Sequence, residues 1–301
     1  MSGQAASDRV VAWIDGRWGS PAELGLALQD RGLLLADGLF ETVLVLAGQP
    51  VLLAAHLQRW RESAAALAMA EPPGAAELEP LIREAIERAA LNHGGALRLN
   101  WSRGDGGGRG IDLPAGGSDP DRSSAGGHGH RFWLQLSPCT PAFTSQTARI
   151  SRHERRNQAS RLSRYKTFAY GQAIQARREA REAGADEALL LNTAGALCCG
   201  AVANLLVRRN GRWLTPPLSS GCLPGVMRAR ALQLGLAEEA DLCWSALGPT
   251  ADPSEPTMQE PWLLLNSLGC RPLSAVDGQQ LPCLSAAEAE AFWWQLLDAP
   301  S

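Results

Sequence analysis

Lysine is almost absent from this chain. Of the 28 cationic residues among 301, Lys166 is the only lysine and the rest are arginine. Where only positive charge is needed the sequence has drifted to arginine, so a retained lysine points to something arginine cannot do. Arginine stays protonated, whereas a lysine amine can be desolvated, lose its proton and attack a carbonyl to form an imine. A solvated lysine surviving by chance would give the same composition. Other scarcities narrow the class. No apolar run approaches the roughly 18 residues of a membrane span, and residues 1–8 have neither the cationic start nor the apolar stretch of a secretion signal. A net charge of -3 and a pI near 6.0 provide no basic field for nucleic acid. The seven cysteines are odd in number and scattered, with Cys198 and Cys199 adjacent. They argue against a disulfide framework and for a reducing cytoplasm, and no Cys or His pair has zinc-ligand spacing. A globular cytoplasmic protein with small-molecule partners is expected, without nucleic acid, membrane or metal.

Apolar residues make up 45% of the chain, enough for two modest cores. Residues 10–14 alternate like a strand and Asp15-Gly16 supplies a hairpin turn. Strand character returns at 41–47, followed by a turn at 48–50 and an amphipathic helix over 53–69 that carries His56, Arg59 and Arg61. A second helix covers 75–91 and a strand 96–101. Residues 104–130 are dominated by Gly, Ser, Asp and Pro and suggest a flexible surface insertion, in which His128 and His130 are expected to be solvated. After a strand at 131–136, the proline-bearing stretch 138–145 is an interdomain linker. The second half offers a helix over 169–183 stopped by Gly184, and strands at 187–191, 203–207 and 213–215 with Asn210-Gly211 as a turn. A helix from Pro224-Gly225 through Leu234, a strand at 262–265 and a closing helix at 285–297 complete it. The organisation is therefore α/β, with a smaller N-terminal domain over 1–137 and a larger one over 146–301.

Eight segments, in order, resemble the class IV pyridoxal-phosphate enzymes, which include branched-chain and D-amino-acid aminotransferases and aminodeoxychorismate lyase. They are DRGLLLADGLFETV (30–43), HLQRW (56–60), SRGDGGGRG (102–110), YKT (165–167), DEALLLNTAG (186–195), Ala203-Asn204-Leu205, LPGVMR (223–228) and NSLGCRPL (266–273). The resemblance implies a two-domain fold type IV enzyme with its cofactor, pyridoxal 5'-phosphate, in the interdomain cleft and Lys166 as the Schiff-base lysine. It also implies a homodimer. The phosphate requires an arginine and backbone amides, and the resemblance places Arg59 on it, with the N–H groups of Val226 and Met227 opening a helix and those of Asn266 and Ser267 opposite. An exposed helical Arg59 and ordinary helix packing at Val226 and Met227 are the alternatives. Tyr165 and Tyr170, the only tyrosines, flank the lysine and could contact the cofactor ring or simply pack.

One position departs from the family pattern. Relatives carry a glutamate five residues before the asparagine of their ExxxxN segment, where it pairs with the protonated pyridine nitrogen; counting back from Asn204 gives Cys199. A thiol is a poor partner for a pyridinium, so the ring should accept less charge, unless Cys199 is only a small core residue. The segment SRGDGGGRG and the methionine of LPGVMR resemble the lyases, which implies conversion of 4-amino-4-deoxychorismate to 4-aminobenzoate and pyruvate in folate biosynthesis. Arg109 is then a candidate for the substrate carboxylate and Arg98 a second, although strand alternation could equally aim Arg98 at solvent. An aminotransferase acting on D- or branched-chain amino acids, and a non-catalytic cofactor-binding protein, are the other readings.

Overall fold

The computed structural model describes residues 10–91, 94–105, 110–113, 129–243 and 260–298. The chain divides into two compact units. Met1–Thr140 and, separately, Lys166–Ala169 form the first; Pro141–Tyr165 and Tyr170–Ser301 form the second. Among the described residues no helix is long and apolar enough to cross a membrane.

The first unit is built on an antiparallel sheet of β1 (Val11–Ile14), β2 (Arg17–Gly19), β3 (Gly38–Leu46), β4 (Gln49–Pro50), β5 (Gly94–Ser102) and β6 (Arg131–Pro138). Their order is β2-β1-β6-β5-β3-β4. Asp15 and Gly16 both take left-handed backbone, as a two-residue hairpin of this hand requires. A short α1 (Arg31–Leu35) precedes β3, and α2 (Leu53–Ala66) and α3 (Ala75–Ala89) pack on β3 and β6. Alternation along the strands separates two faces. Glu41, Val43, Leu97, Leu99, Leu134 and Leu136 share the face turned to α2, whereas Phe40, Arg98, Asn100 and Trp133 share the other. Because β4 pairs only with Val45 and Leu46, the first half of β3 has an unfilled edge. Lys166–Phe168 occupies it: Phe40 N–H donates to Lys166 O at 2.9 Å and Phe168 N–H to Gly38 O at 3.0 Å.

The second unit contains β7 (Gln146–Arg156), β8 (Glu187–Asn192), β9 (Leu197–Gly200), β10 (Asn204–Arg209), β11 (Arg212–Thr215), β12 (Ala237–Glu239), β13 (Trp262–Asn266), β14 (Gly269–Val276) and β15 (Gln279–Gln280). They run β12-β11-β10-β13-β14-β7-β8-β9, with β15 on β14, and the pairing of Cys199 with Asn204 brings β9 back onto β10. The path from β10 to β9 therefore closes on itself, around a core that includes Ile150, Leu189, Leu205, Val207 and Leu264. Parallel β7 and β8 need a crossover. It is α4 (Gly171–Glu182), whose buried Ala173, Ala176 and Ala180 let it lie close against the sheet. The helices α5 (Val226–Gln233) and α6 (Ala286–Asp298) complete the unit.

Several elements differ from the sequence expectation. Neither α1 nor the strands β7, β9 and β14 are signalled by local pattern. The arginine-rich β7 lacks apolar alternation, yet it pairs on both sides, with β14 and β8. Lys166–Ala169, expected within the C-terminal domain, groups with the N-terminal unit because its backbone completes the β3 edge. The stretch 104–130 lies largely outside the described residues, but where described it is anchored. Asp105 bridges to Asp30, and the Arg31 guanidinium donates to the carbonyls of Gly110, Ile111 and Asp112 at 3.3–3.4 Å. His128 lies outside the described residues. The expectation that His130 is solvated is overturned: its ring stacks on Trp101 with centroids 5.1 Å apart, and Nε2 accepts from Ala70 N–H at 3.1 Å.

Candidate active site

Backbone pairing places Lys166 before any side chain contributes. The main chain beside β3 fixes its Cα, and the Phe168 ring lies where a Cβ on Gly38 would overlap it, so only glycine fits there. The side chain then meets an aromatic face, with Nζ 4.2 Å from the Phe40 ring centroid. Arg98 approaches the same ring, its Cζ 3.6 Å from the centroid, while Nε donates to Asn100 Oδ1 at 2.7 Å. Phe40, Arg98 and Asn100 are on one face of adjacent strands, which decides the direction that alternation left open. The Lys166 amine and the Arg98 guanidinium thus share one aromatic surface, and the guanidinium beside the amine is suited to attract a carboxylate.

On the other face of β3 the Glu41 carboxylate is buried and meets two residues of α2. His56 and Arg59 stand three apart and so project from one side of the helix. Arg59 donates from Nε to Glu41 Oε1 at 2.8 Å and from Nη2 to Oε2 at 2.5 Å; His56 Nδ1 lies 2.7 Å from Oε2. Burial alone would raise the Glu41 carboxyl, but the Arg59 charge and hydrogen bonds from His56 and Arg59 override it and hold it at about 2. An ionised Glu41 can only accept, so His56 carries its proton on Nδ1. Burial pushes the imidazole down, against the hydrogen bond and charge of Glu41, and the Arg59 and Lys166 cations push it further.

In the second unit, α5 begins at Val226 with Gly225 as an extended N-cap that lends no side chain to the helix start. A Cβ on Gly225 would strike Asn204 Oδ1, whose amide donates to Leu223 O at 2.9 Å. Asn204 thereby ties β10 to the loop before α5 and leaves room only for glycine. The first turn is a helix N-terminus with no side-chain cap, which suits an anion. Asn266 ends β13, its Oδ1 accepting from Leu268 N–H at 2.8 Å, with Ser267 next in the turn. Cys199 is buried on β9, where a hydrogen bond from the Cys198 thiol and the neighbouring Arg156 guanidinium lower it, against burial. Cys198 itself is raised, by that hydrogen bond and by burial. Arg156 Nε is buried without a hydrogen-bond partner.

The sequence-derived set is thus divided between units. Lys166, Arg59 and Arg98 are in the first; Cys199, Val226, Met227, Asn266 and Ser267 are in the second. Arg109 lies outside the described residues. Phe40, Glu41, His56 and Arg156 were not singled out for a role by their sequence. A lone carboxylate within the apolar run LFETVLVL was a legible signal for Glu41, because a buried charge demands a partner. The His-x-x-Arg spacing on α2 was the matching one.

The sequence profile of the amino-transferase class IV family matches residues 38–276. The chain belongs to that family, has its mixed α/β type IV fold, and is an enzyme dependent on pyridoxal phosphate. A bifunctional aminodeoxychorismate lyase and D-amino acid transaminase of Mycobacterium tuberculosis is 27% identical, covering 96% of this chain and 98% of the relative. D-alanine aminotransferase of Bacillus licheniformis is 24% identical over 89% of each. Among solved structures, a hypothetical aminotransferase from Mycobacterium tuberculosis in its PLP-bound form superposes with a TM-score of 0.74 at 23% identity, covering 96% and 98% of the two chains. Within the first unit the residues present suit the cofactor, with one lysine against an aromatic face and a guanidinium held by a buried carboxylate; within the second, a helix start without a side-chain cap suits an anion.

Proposed function

We propose that this chain is an aminodeoxychorismate lyase, releasing 4-aminobenzoate and pyruvate from 4-amino-4-deoxychorismate. The observation that carries this is Cys199 beside Arg156, at the position where relatives place a glutamate. When bound, pyridoxal phosphate supplies an aldehyde that condenses with amines and a ring that draws electrons from the adjacent carbon. A thiol is only a weak donor and a weak acceptor, and so a poor partner for a protonated ring nitrogen, which favours a reaction that makes a small electron demand on the ring. Elimination that ends in an aromatic product meets that condition, because aromatisation supplies driving force that transamination lacks.

In this proposal Lys166 Nζ would hold the cofactor and, once freed by the substrate amine, would take the proton from the substrate ring carbon. Arg98, fixed by Asn100 and Phe40, receives a substrate carboxylate, and Arg109 is the candidate for a second. Arg59 is the candidate for the phosphate in the first unit, and in the second the candidates are the backbone N–H groups at Val226 and Met227 and at Asn266 and Ser267. The test is to supply synthetic 4-amino-4-deoxychorismate to the loaded enzyme and follow 4-aminobenzoate and pyruvate in equal amounts. Absence of product, alongside keto acid formed from D-alanine or a branched-chain amino acid, would replace the lyase with an aminotransferase. The match to D-alanine aminotransferase over most of both chains favours that second reading.

A further inference from the structure

We propose that Glu41 and His56 are positioning residues for the phosphate group of the cofactor, acting through Arg59. The inference rests on the assignment of Arg59 to that phosphate. Glu41 is a buried carboxylate in a largely apolar strand, and the two side chains whose hydrogen bonds hold it both come from α2. Stability does not require such a group, since apolar replacements of buried ion pairs are often as stable. What the pair does provide is orientation. Contacts from Nε and Nη2 to the two oxygens of one carboxylate fix both the plane and the rotation of the Arg59 guanidinium, which otherwise carries considerable rotamer freedom. His56 Nδ1 holds the second oxygen, so the carboxylate cannot turn independently of α2. A carboxylate would also repel an anion, but three N–H donors engage these two oxygens and leave little of their charge exposed.

The test uses two ligands that differ only in the phosphate. The full-length apo-protein is titrated with pyridoxal 5'-phosphate and with pyridoxal, following absorbance, for wild type, Glu41→Gln, His56→Asn and Arg59→Met. Positioning through Arg59 predicts that Glu41→Gln weakens pyridoxal 5'-phosphate about tenfold or more, the scale of a charge-assisted hydrogen bond, while pyridoxal stays within about twofold. His56→Asn should move the ratio the same way by a smaller factor, and it carries the comparison if Glu41→Gln fails to fold. Equal weakening of both ligands would mean a merely structural role, and no weakening of either would mean none; either overturns the proposal. If Arg59→Met also leaves the ratio unchanged, the phosphate assignment itself falls. If Arg59→Met alone changes it, that assignment stands and the positioning role is refuted.

Discussion

Replacing Glu41 by glutamine keeps the size of the side chain and removes its charge, leaving the Arg59 guanidinium against an amide. The Glu41 side chain is 1% exposed and that of Arg59 11%, so water cannot substitute for the lost carboxylate. Two routes give the magnitude. Lowering the carboxyl from 4.5 to about 2 corresponds to roughly 3 kcal/mol favouring the folded state. Removing one partner of a buried pair costs about 3–5 kcal/mol in general. A loss near 3 kcal/mol at pH 7 is expected, equivalent to a fall in Tm of roughly 6–12 °C for a domain of this size. Urea unfolding of both proteins, with Arg59→Met and the double variant, isolates the pair as a coupling energy. Because the folded carboxyl is depressed, its contribution is complete about one pH unit above the unfolded value of 4.5 and is lost as pH falls toward 2. The gap between wild type and Glu41→Gln should therefore be constant from pH 8 to about 5.5 and close below that. A gap under about 1 kcal/mol at pH 7, or one that persists unchanged in acid, would refute the ion-pair account.

Gly38→Ala should displace the Phe168 ring, which lies where the new methyl must go. We expect about 1–3 kcal/mol of destabilisation and slower cofactor attachment at Lys166, measured by unfolding and by stopped-flow absorbance; wild-type behaviour in both would show that Phe168 does not hold the segment. His130 is lowered to about 4 by burial and the Arg103 charge, opposed by Asp37. The unfolded imidazole takes its proton first, so stability should fall as pH drops from about 6.5 to 4 and level off beneath. Thermal unfolding of His130→Gln, which can still accept from Ala70 N–H, should show a shallower fall across that window, and an unaltered slope would count against the stacked, neutral histidine.

How much of the site could be read in advance depended on whether its signal was local. Lys166 stood out through composition and Arg59 through a short motif, since each needs only its own neighbourhood. Arg98 was ambiguous because alternation gives a period of two without saying which face is which. Pairing of β5 between β3 and β6 decided it, setting Arg98 and Phe40 on the same face. His130 was misjudged for the same reason: its glycine-rich context is local, whereas its partners, Trp101 and Ala70, are far away in sequence. The arginine-rich β7 was missed because its partners are also remote, β14 following it by more than a hundred residues.

Lys166 itself shows where local inference ends. Its residue type announces an amine to be used as a nucleophile, but its place on the β3 edge is set by backbone hydrogen bonds that any sequence could make. What makes the edge specific is Gly38, more than a hundred residues earlier, whose missing side chain is filled by the Phe168 ring. The glycine has meaning only once the strand and the lysine segment are already paired. Chemical identity and spatial address are therefore encoded separately in this chain, and a substitution at Gly38 can remove the second while leaving the first intact.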